Sequence, residues 1–494
     1  MLPNMELSSI LTAIALLFFI DRVAVVIYRL YVHPLANFPG PKLAAASTLY
    51  RAYYQFWKDG KMLHKTIEQQ STYGYSLSFL ILDFTSRTAY FEIYSSSFNG
   101  TKDPNFYYHL GGGAPETFFS MSNAAEHRVR WRPVASLFAK RHYDRCESMI
   151  KKSLDRFSVL LSLQAQRQQP CNLDMGYRSL FMKIVNDFMF SDIPDKLRSL
   201  QNEHFDDPLS LAAERDINWT AWADRNFPNL SAIFHRLVPL VALIMATLVQ
   251  HEQDPSKPKN PDSMMQRLMT SHLDSKSDDS TPLSNTVLEA EATVTMWGGI
   301  LDLSNILPYG TFMIAQDKIL QSRLHDELRT VWPDFKTEVP SYEVLRELTL
   351  LNGIVKESLR HTHGVATGPA RLVGPGGAYI DGHFVPPKTV VACPSYFVHM
   401  DAAVFPDPEK FDPQRWTPDK YSDDMTLVAF SKGRRMCPAE HLANIEMFAT
   451  FATVFRRFEV TAFETSKEDF AWNQYFSIRF TGRPLQAILK ERMD

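Results

Sequence analysis

The sequence predicts a mainly α-helical protein with small β-sheets, an α+β class, preceded by a single N-terminal transmembrane helix. Three observations carry that reading. A long apolar run stands near the amino end, apolar residues spaced by three and four dominate the rest of the chain, and alternating strand-like segments are few. With 494 residues, 45% hydrophobic and 22% charged, the composition is that of an ordinary globular protein rather than a disordered or fibrous one. The formal net charge is −3 and no basic stripe stands out, which argues against nucleic acid as a partner. Cys146, Cys171, Cys393 and Cys437 form neither CxxC pairs nor a cluster. Reduced thiols are therefore expected, leaving one cysteine free for special chemistry.

The apolar run Ile10 to Ile20 resumes after Asp21 and Arg22, so that Leu7 to Tyr28 is long enough to cross a hydrocarbon core of roughly 30 Å as a helix. Arg22 lies past the centre, where it can snorkel toward headgroups. No small-residue cleavage site succeeds the run, which disfavours a removed signal peptide. Arg29, His33 and Lys42 come after the span while only Glu6 precedes it, so the positive-inside tendency puts the body in the cytoplasm. A buried amphipathic first helix is the alternative. Pro34, Pro39 and Pro41 then block helix formation. The organisation expected is an anchor over 1–30, a proline-rich hinge over 31–45 and one catalytic domain over 46–494.

In the body, Cys146 to Leu163 and Leu320 to Val331 have helical spacing, whereas Leu77 to Leu82, Tyr379 to Cys393 and Phe476 to Leu489 read as strands. Glu252 to Asp262 and Asp274 to Asn285 read as surface loops. Leu237 to Val249, which contains Pro239, is too short to span and reads as a core helix or a membrane-facing lid. The sequons at Asn99, Asn218 and Asn229 are taken as chance in a cytoplasmic body.

The chemistry concentrates in Phe430-Ser431-Lys432-Gly433-Arg434-Arg435-Met436-Cys437. A haem iron that must cleave dioxygen benefits from an electron-rich thiolate shielded from water and steadied by backbone N–H donors. Gly433 permits the tight turn, Arg435 can pair with a haem propionate, and Phe430 can cover the proximal face. A helix beginning near Glu440 points its N-terminus at the sulfur. The alternative is a buried structural cysteine in a basic loop.

This segment resembles the haem loop of the cytochrome P450 family, F-x-x-G-x-R-x-C-x-G, at Phe430, Gly433, Arg435 and Cys437, with Ala439 where the family has glycine. The resemblance extends to Glu357 and Arg360 as the E-x-x-R pair, to Arg415 as the arginine that completes a buried triad, and to Arg371 as a propionate arginine. Segments such as RLYVHPLANFPGPKLAAAS and KDPNFYYHLGGG look like the fungal secondary-metabolism branch, close to trichodiene-oxygenase-type members. The resemblance implies the P450 fold, haem b with Cys437 as the iron ligand, and location in the endoplasmic reticulum membrane. It also implies a hydrophobic small-molecule substrate, NADPH–cytochrome P450 reductase as electron donor, and assistance from cytochrome b5.

Besides Ala439, two segments depart from the pattern. The family's acid–alcohol motif on the helix above the haem is here Gly298-Gly299-Ile300-Leu301-Asp302-Leu303-Ser304. Asp302 falls in either the acid or the threonine position according to register, with Ser304 as a neighbouring hydroxyl. Asp302 with Ser304 or a water is the expected proton relay, against a plain surface or capping acid. Pro308 is expected to kink that helix or open its hydrogen bonding. In the family's W-x-x-x-R pattern, His127 occupies the first place and Trp131 the arginine's, making His127 the expected propionate contact, with Arg130 and Arg132 as substitutes. These departures keep two alternatives open: a haem-thiolate enzyme of isomerisation, dehydration or ring formation without oxygen insertion, and an inert protein of the same fold.

Overall fold

Apolar stripes at helical spacing need partners, and most of this chain satisfies them by packing helix on helix. The computed structural model describes all residues except 1–6, 48, 74, 79–80, 111–116, 140–141, 214–239, 272–281, 421, 423–424 and 494. The sequons at Asn218 and Asn229, residues 237–239 of the short apolar run and most of the polar stretch after Asp274 lie outside the described residues. The chain divides into two compact units, one of residues 1–101 and 368–394 and the other of residues 102–367 and 395–494.

The first unit begins with the helix Leu7–Tyr31, which from Leu11 onward is long and apolar enough to cross a membrane and has no buried face. After turns at residues 32–38, a short helix Lys42–Ala46 starts directly on Pro41. The prolines therefore do not keep the whole hinge free of helix. Proline suits a helix start, where its missing N–H has no partner to lose. Strands Tyr75–Ser78, Ile81–Phe84, Val390–Ala392, Arg371–Val373 and Gly100–Lys102 form a sheet in that order. The segment expected as one strand from Leu77 to Leu82 is thus an antiparallel pair, Tyr75 opposite Phe84. Likewise Tyr379 to Cys393 divides into three strands, of which Ala378–Ile380 and His383–Val385 make their own hairpin. The Asn99 amide donates to the Pro375 carbonyl at 2.7 Å, a structural use of one sequon.

The second unit holds one contiguous apolar core. Helices Tyr143–Arg167, Leu173–Met189, Asn285–Ile300, Leu303–Gln316, Thr349–Thr362 and Glu440–Arg457 supply it, with Phe181, Leu307, Ile354 and Phe451 among the fully buried side chains. A three-stranded sheet (Cys171–Asn172, Gln486–Glu491, Phe458–Ala462) and the hairpin Trp472–Gln474 with Ile478–Phe480 complete it. Leu240–Gln253 is a helix with Val241, Met245 and Leu248 buried, as a core helix requires. Glu252, read as the start of a surface loop, is 2% exposed. Its carboxylate accepts from the Ser191 N–H and from the Gln266 amide, both at 2.9 Å, which offsets the burial.

Candidate active site

The cysteine loop is built by backbone geometry. Ser431 and Gly433 take positive φ values of 61° and 72°, turning the chain sharply so that the Cys437 N–H donates to the Phe430 carbonyl at 2.9 Å. Helix Glu440–Arg457 starts just beyond. Ala439, at its N-cap, has a φ of −91°, which any L-residue adopts, so the backbone places no demand for glycine there. The Ala439 backbone N–H lies near the Cys437 sulfur and favours its charged form. Burial pushes the thiol up to about 12, the nearby Asp302 and Glu440 charges add to the rise, and the Ala439 N–H opposes them. Yet the residue keeps part of its accessible surface.

Behind the loop stands a buried ionic cluster. Glu357 is fully buried and accepts from Arg360 Nε (2.9 Å) and Nη2 (2.8 Å), Arg415 Nε (3.0 Å), Trp416 Nε1 (2.9 Å) and the Asp412 N–H (3.0 Å). The sequence permits this because residue 353 is glycine: a Cβ there would stand 2.3 Å from the Pro413 carbonyl oxygen, so the helix lies hard against the turn that carries Arg415. Arg360 Nη1 donates to the His399 carbonyl at 3.0 Å, and His399 Nε2 accepts from the Val428 N–H at 2.9 Å. Burial and the Arg360 charge push His399 down to about 3, keeping the ring neutral and Nε2 an acceptor. The cluster thus reaches the segment leading into the cysteine loop through His399. As an isolated histidine in sequence, His399 offered no signal for that role.

On the other side, the Asn305 side chain donates to the Leu301 carbonyl at 3.1 Å while the Asn305 N–H turns to Asp302 at 2.9 Å. The helical ladder lapses at Leu301 and Asp302 although both keep right-handed helical angles, which separates Asn285–Ile300 from Leu303–Gln316. The interruption expected at Pro308 therefore falls earlier, and Pro308 sits inside the second helix. Asn305 also donates to the Ile478 carbonyl at 3.0 Å, tying the break to the C-terminal hairpin. Burial raises the Asp302 carboxyl, and the nearby Ser477 hydroxyl holds the rise back. Ser304 Oγ and Ser477 Oγ are buried without a hydrogen-bond partner among the described residues. Ser477 has no motif to announce it. A Cβ on Gly298 would meet nothing within 4 Å, so this helix borders open space.

Three basic side chains converge near one edge of the loop. Burial, then Arg435 and Lys102, push His127 down to about 4. Arg435 donates to the Met121 carbonyl, and Lys102 to the Phe119 carbonyl at 2.6 Å. Trp131 stacks on Phe138 with ring centres 5.1 Å apart, a core role. Arg130 faces Glu291 at 3.7 Å, and Arg132 is exposed. Arg371 belongs to the first unit, where it lies over the Tyr94 ring at 5.1 Å and donates to the Ala370 carbonyl at 3.2 Å.

The cytochrome P450 family model matches residues 75–484. The chain belongs to the cytochrome P450 family. It is 47% identical to the cytochrome P450 monooxygenase ppzG of Metarhizium majus over 54% of this chain and 97% of that protein. Over nearly full length, 98% of this chain and 97% of the relative, it is 28% identical to the cytochrome P450 monooxygenase flvC of Aspergillus flavus. Among solved structures, a cytochrome P450 (CYP102L1) superposes with a TM-score of 0.72 at 16% identity, covering 87% of this chain and 94% of the other, a likeness of fold.

This P450 has a donor set that suits the haem its family implies. Its second unit offers a soft sulfur with an amide donor and, near it, a basic cluster in which both charges acting on His127 are positive. Such a cluster is suited to a propionate. Lys102, 6% exposed, is the member that sequence reasoning missed. Its signal, a lysine opening the family-like KDPNF segment, was present but carried no rule of its own.

Proposed function

We propose that this protein is a haem-thiolate monooxygenase, anchored by its first helix in the endoplasmic reticulum membrane with the catalytic domain in the cytoplasm. Its substrate is a hydrophobic terpenoid, polyketide or alkaloid intermediate of a fungal secondary-metabolite pathway. Electrons come from NADPH–cytochrome P450 reductase, with cytochrome b5 as an auxiliary donor. The carrying observation is Cys437, held in a sharply turned loop by its N–H bond to the Phe430 carbonyl, with the Ala439 N–H near its sulfur at the start of a long helix.

In this reading Cys437 would ligate the haem iron through its sulfur, Arg435 and His127 with Lys102 beside them, and Arg371, would hold the propionates, Phe430 would shield the sulfur, and Gly433 makes the turn. When bound, the haem supplies dioxygen activation and attack on an unactivated carbon–hydrogen bond. Asp302 moves protons from its desolvated carboxyl, handing them through water to Ser304 and Ser477, whose buried hydroxyls have no hydrogen-bond partner among the described residues. The test of the reading is the reduced carbon monoxide difference spectrum followed by turnover under labelled dioxygen. A thiolate-type Soret band with label in the product is expected.

One observation favours a second reading. A leucine, Leu301 or Leu303 according to register, leaves the family's acid–alcohol pair incomplete, as suits isomerisation, dehydration or ring formation without oxygen insertion. Product without label would establish it. Replacing Asp302 with alanine is expected to lower product formed per NADPH on the order of tenfold or more, with peroxide rising to match. Unchanged coupling would remove Asp302 from the proton path. Deleting residues 2–30 is expected to shift the protein from the membrane pellet to the supernatant, and retention in the pellet would place the attachment elsewhere.

A further inference from the structure

Glu291 sits on helix Asn285–Ile300 with no exposed surface. Its Oε1 accepts from the Phe118 N–H at 2.9 Å and lies 3.7 Å from Arg130 Nη1. Oε2 is buried without a hydrogen-bond partner among the described residues. A carboxylate placed this way is costly, and burial drives it up to about 8 against the Phe118 bond and the Arg130 charge. An apolar residue would fill the same space without that cost, so what the carboxylate adds is the bond to Phe118 and a charge facing Arg130.

Phe118 belongs to a turn closed by hydrogen bonds among its own residues. The Thr117 and Ser120 hydroxyls are 2.7 Å apart, the Ser120 N–H donates to Thr117 Oγ1 at 3.1 Å, and the Met121 N–H donates to the Thr117 carbonyl at 2.9 Å. The turn is bonded outward at three of its residues. Phe118 is held by Glu291, the Phe119 carbonyl by Lys102, and the Met121 carbonyl by Arg435 of the cysteine loop. The Phe119 ring meets Phe476, at the tip of the C-terminal hairpin, edge to face with centres 6.1 Å apart. One short strap therefore joins helix Asn285–Ile300, the hairpin and the cysteine loop.

We propose that Glu291 is a positioning residue that fixes the strap Thr117–Met121, and with it the Phe119–Phe476 aromatic pair, as a wall limiting the size of ligand that binds over the haem. This rests on the haem-thiolate reading. It goes beyond it by naming the side chain that sets the wall. Truncating Glu291 releases the Phe118 N–H and loosens the wall while the iron and its sulfur stay in place. Large ligands that pack on Phe119 lose contact, whereas small ones do not.

The test compares the full-length protein with Glu291→Leu and Glu291→Gln, the latter keeping an oxygen that accepts from Phe118. Two probes are titrated by the spectral shift of nitrogen ligation, imidazole as the small one and clotrimazole as the large one. Glu291→Leu is expected to weaken clotrimazole by about tenfold, one hydrogen bond's worth of placement, while imidazole stays within about twofold. Glu291→Gln is expected to restore clotrimazole to within about threefold of the parent. Hydrogen exchange of the peptide covering Thr117 to Met121 provides a readout independent of haem. Protection should be lost in Glu291→Leu and kept in Glu291→Gln, and if the leucine variant fails to fold, full protection in the glutamine variant is still required. Equal effects on both probes, clotrimazole unchanged in Glu291→Leu, or unaltered exchange there would each overturn the proposal. No spectral shift in any protein, the parent included, counts against the haem reading instead, and exchange then decides the role of Glu291 by itself.

Discussion

Cys437→Ser is expected to remove the thiolate-type Soret band of the reduced carbon monoxide complex and to bring turnover down to background. The serine oxygen would occupy the same buried turn, close to the Ala439 N–H, but a hydroxyl there stays protonated and donates little charge to iron. The other cysteines offer no substitute. Acidity does not distinguish them, since burial pushes Cys171 up to about 12 just as it does Cys437, and Cys146 up to about 11. Position does. Cys146 and Cys171 are packed in the apolar core and Cys393 is wholly buried, whereas Cys437 keeps accessible surface at the head of a helix. The measurement is the difference spectrum of purified serine variant beside the parent. A variant that retained haem with an unaltered spectrum would end the assignment of Cys437 and the function built on it.

What the sequence disclosed was whatever is written in local spacing. The N-terminal apolar helix, the cysteine loop and the E-x-x-R pair are each written in the local spacing of one stretch of chain. The break at Leu301 and Asp302 was not legible, because it depends on one side chain, Asn305, outcompeting the backbone for the Leu301 carbonyl. Proline drew attention to residue 308 for a sound reason, yet the chain lapses where the side chain intervenes rather than where the N–H is missing. Residues whose partners lie far away in sequence were hidden for a different reason. Glu291 bonds a strap more than a hundred residues upstream. The buried carboxylate of Glu252 sat in what looked like a polar loop because charge in a sequence is read as exposure until its donors are seen.

Replacing Glu357 with alanine is expected to cost about 3–5 kcal/mol of stability, the range for removing one partner of a buried ion pair. Against a typical total of about 5–15 kcal/mol, that is enough to deplete the folded, haem-binding protein. The loss exceeds that of a surface bridge because Arg360 is as fully buried as Glu357 and Arg415 nearly so, and both would be left as uncompensated cations. Glu357→Gln keeps the shape and an acceptor oxygen but not the charge, so it should fall between the alanine variant and the parent. Burial alone would raise the Glu357 carboxyl, but the bonds from Arg360 outweigh it and hold the group well below the usual carboxylate range. A group whose folded value is depressed contributes its full stability above its unfolded value, near 4.3, and loses it as the pH falls toward the folded one. The parent should therefore lose stability below about pH 4 more steeply than Glu357→Gln, which lacks the titrating group. Thermal unfolding midpoints across that range, read beside the carbon monoxide spectrum, check both parts. Because Arg360 also bonds the His399 carbonyl and His399 accepts from Val428, the spectrum should degrade in step with the unfolding. A glutamine variant as stable as the parent at neutral pH, with an intact spectrum, would show that shape alone holds the cysteine loop and that the charge on Glu357 does not.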